Sequence, residues 1–252
     1  MATFEELDYG MTPLGELILR RREVLSLDRA EVFEVKLAGE FLMSSLVNDA
    51  EIALAEFALP LVECDQCDVL IGGLGLGYTA QAALKADKVA TVTVIEYLQQ
   101  VIAWHQRELV PLGRALTQDG RCRLIQGDFF EVVGSPAKQN DQPSGLCPES
   151  LAGLASKRFH AILLDIDHSP QCLLHAGHAA FYTAEGLKRL SSHIHAGGVF
   201  ALWSAEPVEE SLSDGLNGAF ASVWVREANF YNPLLDQDDV NYIVVAQRAL
   251  SR

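Results

Sequence analysis

No run of apolar residues in this 252-residue chain approaches the roughly 20 that a membrane-spanning helix requires, so no membrane partner of that kind is expected. Basic residues are scarce: 19 Lys and Arg stand against 34 Asp and Glu, a formal net charge of −15. That balance repels phosphate backbones and argues against a nucleic-acid partner, while the same field favours a cationic substrate. Cysteine is sparse as well, with single residues at 64, 67, 122, 147 and 172. An odd, scattered set suits reduced thiols. Cys64 and Cys67 form one CxxC, but no second pair follows at zinc-ligand spacing and the motif precedes a strand, so neither a metal nor a redox centre is expected there. The amino terminus, MATFEELDYG, is acidic and lacks the apolar core of a signal peptide, which makes a cytoplasmic chain the expectation.

What is present is ordinary for a globular protein: 49% hydrophobic and 21% charged residues. The length suits one large domain with a small appendage. Residues 1–60 read as that appendage. The stretches GELILRRREV and EVFEVKLAGEFLMSS carry β-type apolar content, and Ala38-Gly39-Glu40 supplies a turn between Val32–Leu37 and Phe41–Ser45, which predicts a small β-hairpin module. Asn48 with Glu51 three positions on reads as a capped helix start, and the helix ends at Pro60.

Residues 61–252 alternate strands and helices. Strands are predicted at 68–73, 90–96, 122–128, 159–167 and 197–204, with helices at 78–86, 98–109 and 184–194. Near-continuous apolar strands separated by helices predict an α/β fold, a doubly wound and mostly parallel sheet covered on both faces. After a helix near Glu209–Phe220, the strand-like runs SVWVREANFY and NYIVVAQRA are too closely joined for a crossover helix, so they should pair antiparallel. A mostly parallel sheet of seven strands closed by an antiparallel hairpin resembles the S-adenosylmethionine-dependent methyltransferase fold more than a dehydrogenase. The segment Gly134–Lys157 is rich in Gly, Pro, Ser, Asn and Gln; it reads as a solvated insertion, with one helical turn near its end.

The chemistry concentrates at strand ends, where ligands of such sheets bind. Gly73, Gly75 and Gly77 give G-x-G-x-G, and Tyr78 stands where a dinucleotide fingerprint needs its last glycine. Glu96 ends the second of these strands, where a carboxylate accepts from a ribose diol. Asp128 ends the third, placed to accept from an adenine amino group while Phe129 packs on the ring. The fourth ends LLDIDHSP; Asp165 and Asp167 face opposite sides of an extended strand, and Asp165 is the candidate catalytic carboxylate, able to orient an amine or take its proton. His168, His175 and His178 follow, and no carboxylate-and-histidine motif makes them a metal site.

The β-module, VLIGGLGLG, VIE, GDFF, LLDIDHSP and AFYTAEGLKRLSSHIHAGGVFALWS together resemble the spermidine synthase group of aminopropyltransferases, which sets an amino-terminal β-module on the methyltransferase fold. The resemblance implies a transferase of polyamine type acting on a small-molecule acceptor, a donor that is S-adenosylmethionine or its decarboxylated form, and a homodimer. It also implies roles for Glu96 at the ribose, Asp128 at the adenine and Asp165 in catalysis. The chain departs from that family at the acceptor. Gly75 stands where the family's glycine loop carries an aspartate, and Ala50-Glu51-Ile52-Ala53-Leu54-Ala55-Glu56 lacks the Asp, Tyr and His of the family's Asp-Glu-x-x-Tyr-His-Glu stretch. The family's Asp-Pro is represented only by His168-Ser169-Pro170. Methyl or aminopropyl transfer to an unidentified acceptor is therefore the expectation, and a nucleoside-binding protein without turnover is the alternative.

Overall fold

The computed structural model describes residues 3–134 and 151–250. Most of the Gly134–Lys157 insertion lies outside them; its described end holds a single helical turn at Leu151–Leu154. Four strands open the chain as an antiparallel meander, β1 (Phe4–Thr12), β2 (Gly15–Val24), β3 (Ala30–Leu37) and β4 (Glu40–Ser44). The module is thus larger than a hairpin. Its first strand, FEELDYGMT, lies mostly at the surface, with Phe4, Tyr9 and Met11 exposed among acidic and polar neighbours. Glu34 on β3 is buried between two arginines of β2, accepting from Arg20 at 2.6 Å and Arg22 at 2.7 Å.

The second sheet has seven strands in the order β10-β11-β9-β8-β5-β6-β7. Its members are β5 (Cys67–Gly72), β6 (Val89–Glu96), β7 (Cys122–Gln126), β8 (Phe159–Leu164), β9 (Ile194–Ser204), β10 (Ser222–Asn232) and β11 (Gln237–Gln247). All pairings from β7 across to β9 are parallel, whereas β11 runs antiparallel to both β9 and β10. The closing hairpin expected from the short linker is present.

Side-chain alternation explains why these strands read as unbroken apolar runs. Val69, Ile71, Ala161, Leu163, Val199 and Ala201 pack into one core, while Leu70, Ile162, Leu164, Phe200 and Leu202 pack into another on the opposite face. Helices α1 (Asp49–Ala58), α2 (Tyr78–Lys85) and α3 (Gln99–Gln106) cover the first face, followed by α4 (Gly113–Gln118). Helices α5 (Phe129–Val133), α6 (Leu151–Leu154), α7 (Ala184–Ser192) and α8 (Glu210–Ala219) cover the second. Burial of this kind contributes roughly 25 cal/mol per Å² of apolar surface, which makes the two cores the main source of stability.

Two local details depart from the sequence reading. Asn48 does precede α1, but its side chain makes no cap bond and donates instead to the Ser45 carbonyl at 3.2 Å. Glu51 therefore does not close a capping box. The meander docks on the sheet domain through the first core, where Leu17, Leu19, Val35 and Leu37 join Trp104, and through the Trp104 indole, which donates to Asp8 at 2.7 Å.

Candidate functional site

The glycine loop follows β5 and leads into α2. Gly73, Gly75 and Gly77 all have positive φ, at 93°, 49° and 96°. At Gly73 a Cβ would lie 2.1 Å from the Asp165 carbonyl oxygen, so only glycine lets the loop pass the end of β8. At Gly75 a Cβ would meet the Met43 sulfur at 2.8 Å, because that side chain reaches over from β4. Gly77 starts the first turn of α2, accepting from Gln81 at 2.9 Å. His105 of α3 supports the loop from below. Burial lowers its pKa and keeps it neutral, and its Nε2–H donates to the Gly75 carbonyl at 2.9 Å.

Glu96 is 9% exposed at the end of β6. Its Oε2 accepts from the Leu74 amide at 2.9 Å and its Oε1 from the Leu98 amide at 2.8 Å, so the carboxylate ties the glycine loop to the turn after β6. Burial pushes its pKa up, and the amides of Leu98, Leu74, Gly75 and Tyr97 oppose that shift. Of these, only Leu74 and Leu98 reach hydrogen-bond geometry, one on each oxygen, and the second lone pair of each is left for a ligand hydroxyl.

Asp128 caps α5. Its Oδ1 accepts from Phe130 at 2.8 Å and Glu131 at 3.4 Å, which leaves Oδ2 for a further donor. Of the two adjacent phenylalanines, Phe129 is the more deeply set. It is 1% exposed, packs beneath Gly72 and in the core, and reaches the cavity only as part of its floor. Phe130, which the sequence reading passed over, stacks on His178 with ring centroids 4.0 Å apart.

Glu96, Asp128, Phe129, Phe130, Gly73 and Gly75 line one cavity of about 260 Å³, roofed by the meander through Leu14, Leu17 and Met43. A second cavity of about 190 Å³ lies beside it, between the meander, the start of α2, the end of β9 and Asn241 of β11. Asp165, Gly75 and Met43 line both. Asp165 accepts from the Thr79 hydroxyl at 2.8 Å. Glu51, one turn into α1, lines the second cavity, where it senses the charge of Asp165.

Burial raises both carboxyls. Asp165 is pushed up to about 6, against the Thr79 hydrogen bond, and Glu51 to about 8 by burial first and by Asp165 second. The folded chain therefore holds more protons than the unfolded chain from about pH 4 up to those values. The contribution of this pair to stability falls as pH rises through that window.

Asp167 has a different task. It is 1% exposed and accepts from the Leu174 amide at 2.8 Å, His178 Nδ1 at 2.8 Å and the Tyr182 hydroxyl at 2.9 Å. It thereby pins the segment after β8 as a wall of the first cavity. Of the other histidines, His175 accepts from the Gly177 amide at 3.1 Å and His168 lines the second cavity. Cys67 donates to the Cys64 carbonyl at 3.3 Å, and burial pushes its thiol up to about 12, far from thiolate chemistry at neutral pH. Among the described residues, no helix is long and apolar enough to cross a membrane.

Sequence reasoning gave no site role to Glu51, although it lies in the stretch compared with the family's acceptor motif, and passed over Met43, His105 and Phe130. Glu51 had a local explanation in the apparent capping box, and Met43 and His105 act only through tertiary contact with the glycine loop.

No protein-family model matches the chain, and no curated protein matches its sequence. Solved structures do match. A spermidine synthase in complex with the transition-state analogue AdoDATO superposes with a TM-score of 0.68 at 17% identity, covering 98% of this chain and 73% of that one. Spermidine synthase from Thermotoga maritima gives the same TM-score and identity, covering 98% and 74%. Human methyltransferase-like protein 13 in complex with SAH gives a TM-score of 0.53 at 20% identity, covering 79% of each chain. The chain has the spermidine synthase-like fold, with the methyltransferase-type sheet at its centre.

Proposed function

We propose that the chain is a transferase. It binds S-adenosylmethionine or its decarboxylated form in the larger cavity and transfers a methyl or aminopropyl group to a small nucleophile in the second. The observation that carries this reading is the position of Asp165, which lines both cavities at their junction. Beside it, carboxylates stand at the ends of two neighbouring strands, Glu96 for the ribose hydroxyls and Asp128 for the adenine amino group.

Electrostatics supports a sulfonium donor. Among the described residues lining either cavity there is no Lys or Arg, whereas Glu96, Asp128 and Asp165 are present, with the Glu51 carboxyl, raised to about 8, beside Asp165. A cation gains in such a field, and a ligand carboxylate finds no partner in it. The two donors differ by that carboxylate, so the lining favours the decarboxylated form and hence aminopropyl transfer. Glu51 and Asp165 stand in for the aspartate that the glycine loop lacks.

In the step itself, the nucleophile's lone pair bonds to the carbon next to sulfur. The carbon–sulfur bond breaks with its electrons going to sulfur, and the displaced proton passes to Asp165. Most of the acceleration then comes from positioning, because a sulfonium is already a good leaving group.

The test is product analysis with either donor and an amine acceptor. Decarboxylated donor should yield methylthioadenosine at the faster rate, whereas faster release of S-adenosylhomocysteine would make the enzyme a methyltransferase. Donor recovered intact by a chain that still binds the nucleoside would show a binding protein instead.

A further inference from the structure

We infer that the acceptor is a monoamine carrying an aromatic or bulky apolar group, and not a diamine. The inference rests on the reading of the second cavity as the acceptor chamber. That chamber keeps its acid at one end: Glu51 and Asp165 are the only carboxyl side chains among the described residues lining it, and they lie close enough for Asp165 to raise the proton affinity of Glu51.

The remaining wall is apolar and aromatic, formed chiefly by Phe41 on β4, Val47, Tyr78 at the start of α2 and Trp203 on β9. Two of the polar groups on that side are already engaged, and His168 stands beside the Trp203 ring with 6.4 Å between centroids. Asn241 accepts from the Trp203 indole at 3.2 Å and donates to the Val240 carbonyl at 3.1 Å, while the Tyr78 hydroxyl donates to the Ser45 carbonyl at 3.5 Å. Met43 closes the gap over Gly75, so the apolar surface continues across the loop where a longer side chain at 75 would have reached in.

A diamine brings two ammonium ends. One would be met by Asp165 with the Glu51 carboxyl beside it, and the other would leave water for ring faces and the His168 imidazole, with no carboxylate to meet it. The attraction of a ring for an ammonium is smaller than the hydration it displaces. A single amine with an aromatic body suits the chamber at both ends, since its nitrogen sits at the carboxyls and its ring stacks among Phe41, Tyr78 and Trp203. The transfer balances as before: nitrogen bonds to the carbon next to sulfur, the carbon–sulfur electrons leave with the neutral thioether, and the nitrogen's proton goes to Asp165.

The experiment is titration calorimetry of the whole chain, saturated with methylthioadenosine, against phenethylamine and 1,4-diaminobutane. Phenethylamine should bind about tenfold tighter or better. Phe41→Ala, at a residue 52% exposed and so without consequence for folding, should weaken phenethylamine severalfold and leave the diamine unchanged. Trp203→Leu should do the same. Tighter binding of the diamine, binding of neither amine, or phenethylamine affinity indifferent to both substitutions would overturn the inference. Failure of methylthioadenosine to bind would instead strike the transferase reading, and the amine titration repeated without it still decides which class of amine the chamber takes.

Discussion

Asp165→Asn should lower turnover by about 10²- to 10⁴-fold, the usual worth of a positioned proton acceptor, while methylthioadenosine affinity stays within about threefold of the parent. The substitution keeps the shape of the side chain and leaves an oxygen to accept from Thr79, whose hydroxyl is 2.8 Å from the Asp165 carboxylate. It removes only the charge and the ability to take a proton. Methylthioadenosine is neutral and should not notice the loss, whereas a sulfonium donor should bind more weakly. Rate constants from presteady-state mixing, paired with nucleoside titration, separate the two effects. A variant that turns over like the parent would remove Asp165 from the chemistry.

The pH profile adds a second reading of the same residue. The groups that face Asp165 are Glu51 from α1, with Asp49 beside it, Thr79 from α2 and His168 after β8. The Glu51 and Asp165 pair titrates as a unit, so the acid limb of kcat/KM belongs to the pair. Because Asp165 is raised to about 6, activity should fall as pH drops through that value. In Asp165→Asn the residual activity should lose that limb.

Glu96→Ala should cost at least about 10² in affinity for adenosine-containing ligands. Two charge-assisted hydrogen bonds to the ribose are lost, each worth about 1.5–3 kcal/mol. The amides of Leu74 and Leu98 lose their acceptors as well, which slackens the glycine loop that the carboxylate ties down. Glu96→Gln keeps the volume and one acceptor, and should fall between the two, about tenfold below the parent. Ligand chemistry separates a ribose contact from a loosened loop. Removing both ribose hydroxyls from the ligand should weaken binding to the parent protein and make little difference to Glu96→Ala. Equal losses in the two proteins would mean that Glu96 supports the loop without touching the ribose.

The large architecture was legible because its rules are local. Strands such as Val69–Ile71 and Ile162–Leu164 are buried on both faces, so their apolar runs could be read directly, and the linker Pro233–Asp236 is too short for any crossover. The glycine loop was legible for the same reason, since three positive-φ positions in five residues leave few alternatives. The second cavity was not. Glu51 had a complete local account as the partner of Asn48, and only the packing of α1 against the end of β8 turns it toward Asp165. Phe129 and Phe130 are identical neighbours, and the sequence holds nothing to say which one the core takes and which one meets His178. Strand β1 escaped notice because its apolar residues are mostly exposed and interleaved with acidic ones, and its pairing with β2 supplies what its composition does not.

The central claim is that the larger cavity is built for a cationic adenosyl donor. Titration of the intact chain with decarboxylated S-adenosylmethionine, S-adenosylmethionine, methylthioadenosine and NAD tests it most directly. The account predicts binding of all three adenosyl-sulfur ligands, with the decarboxylated donor tightest and NAD undetectable at comparable concentration. Binding of NAD with none of the sulfur ligands would contradict it.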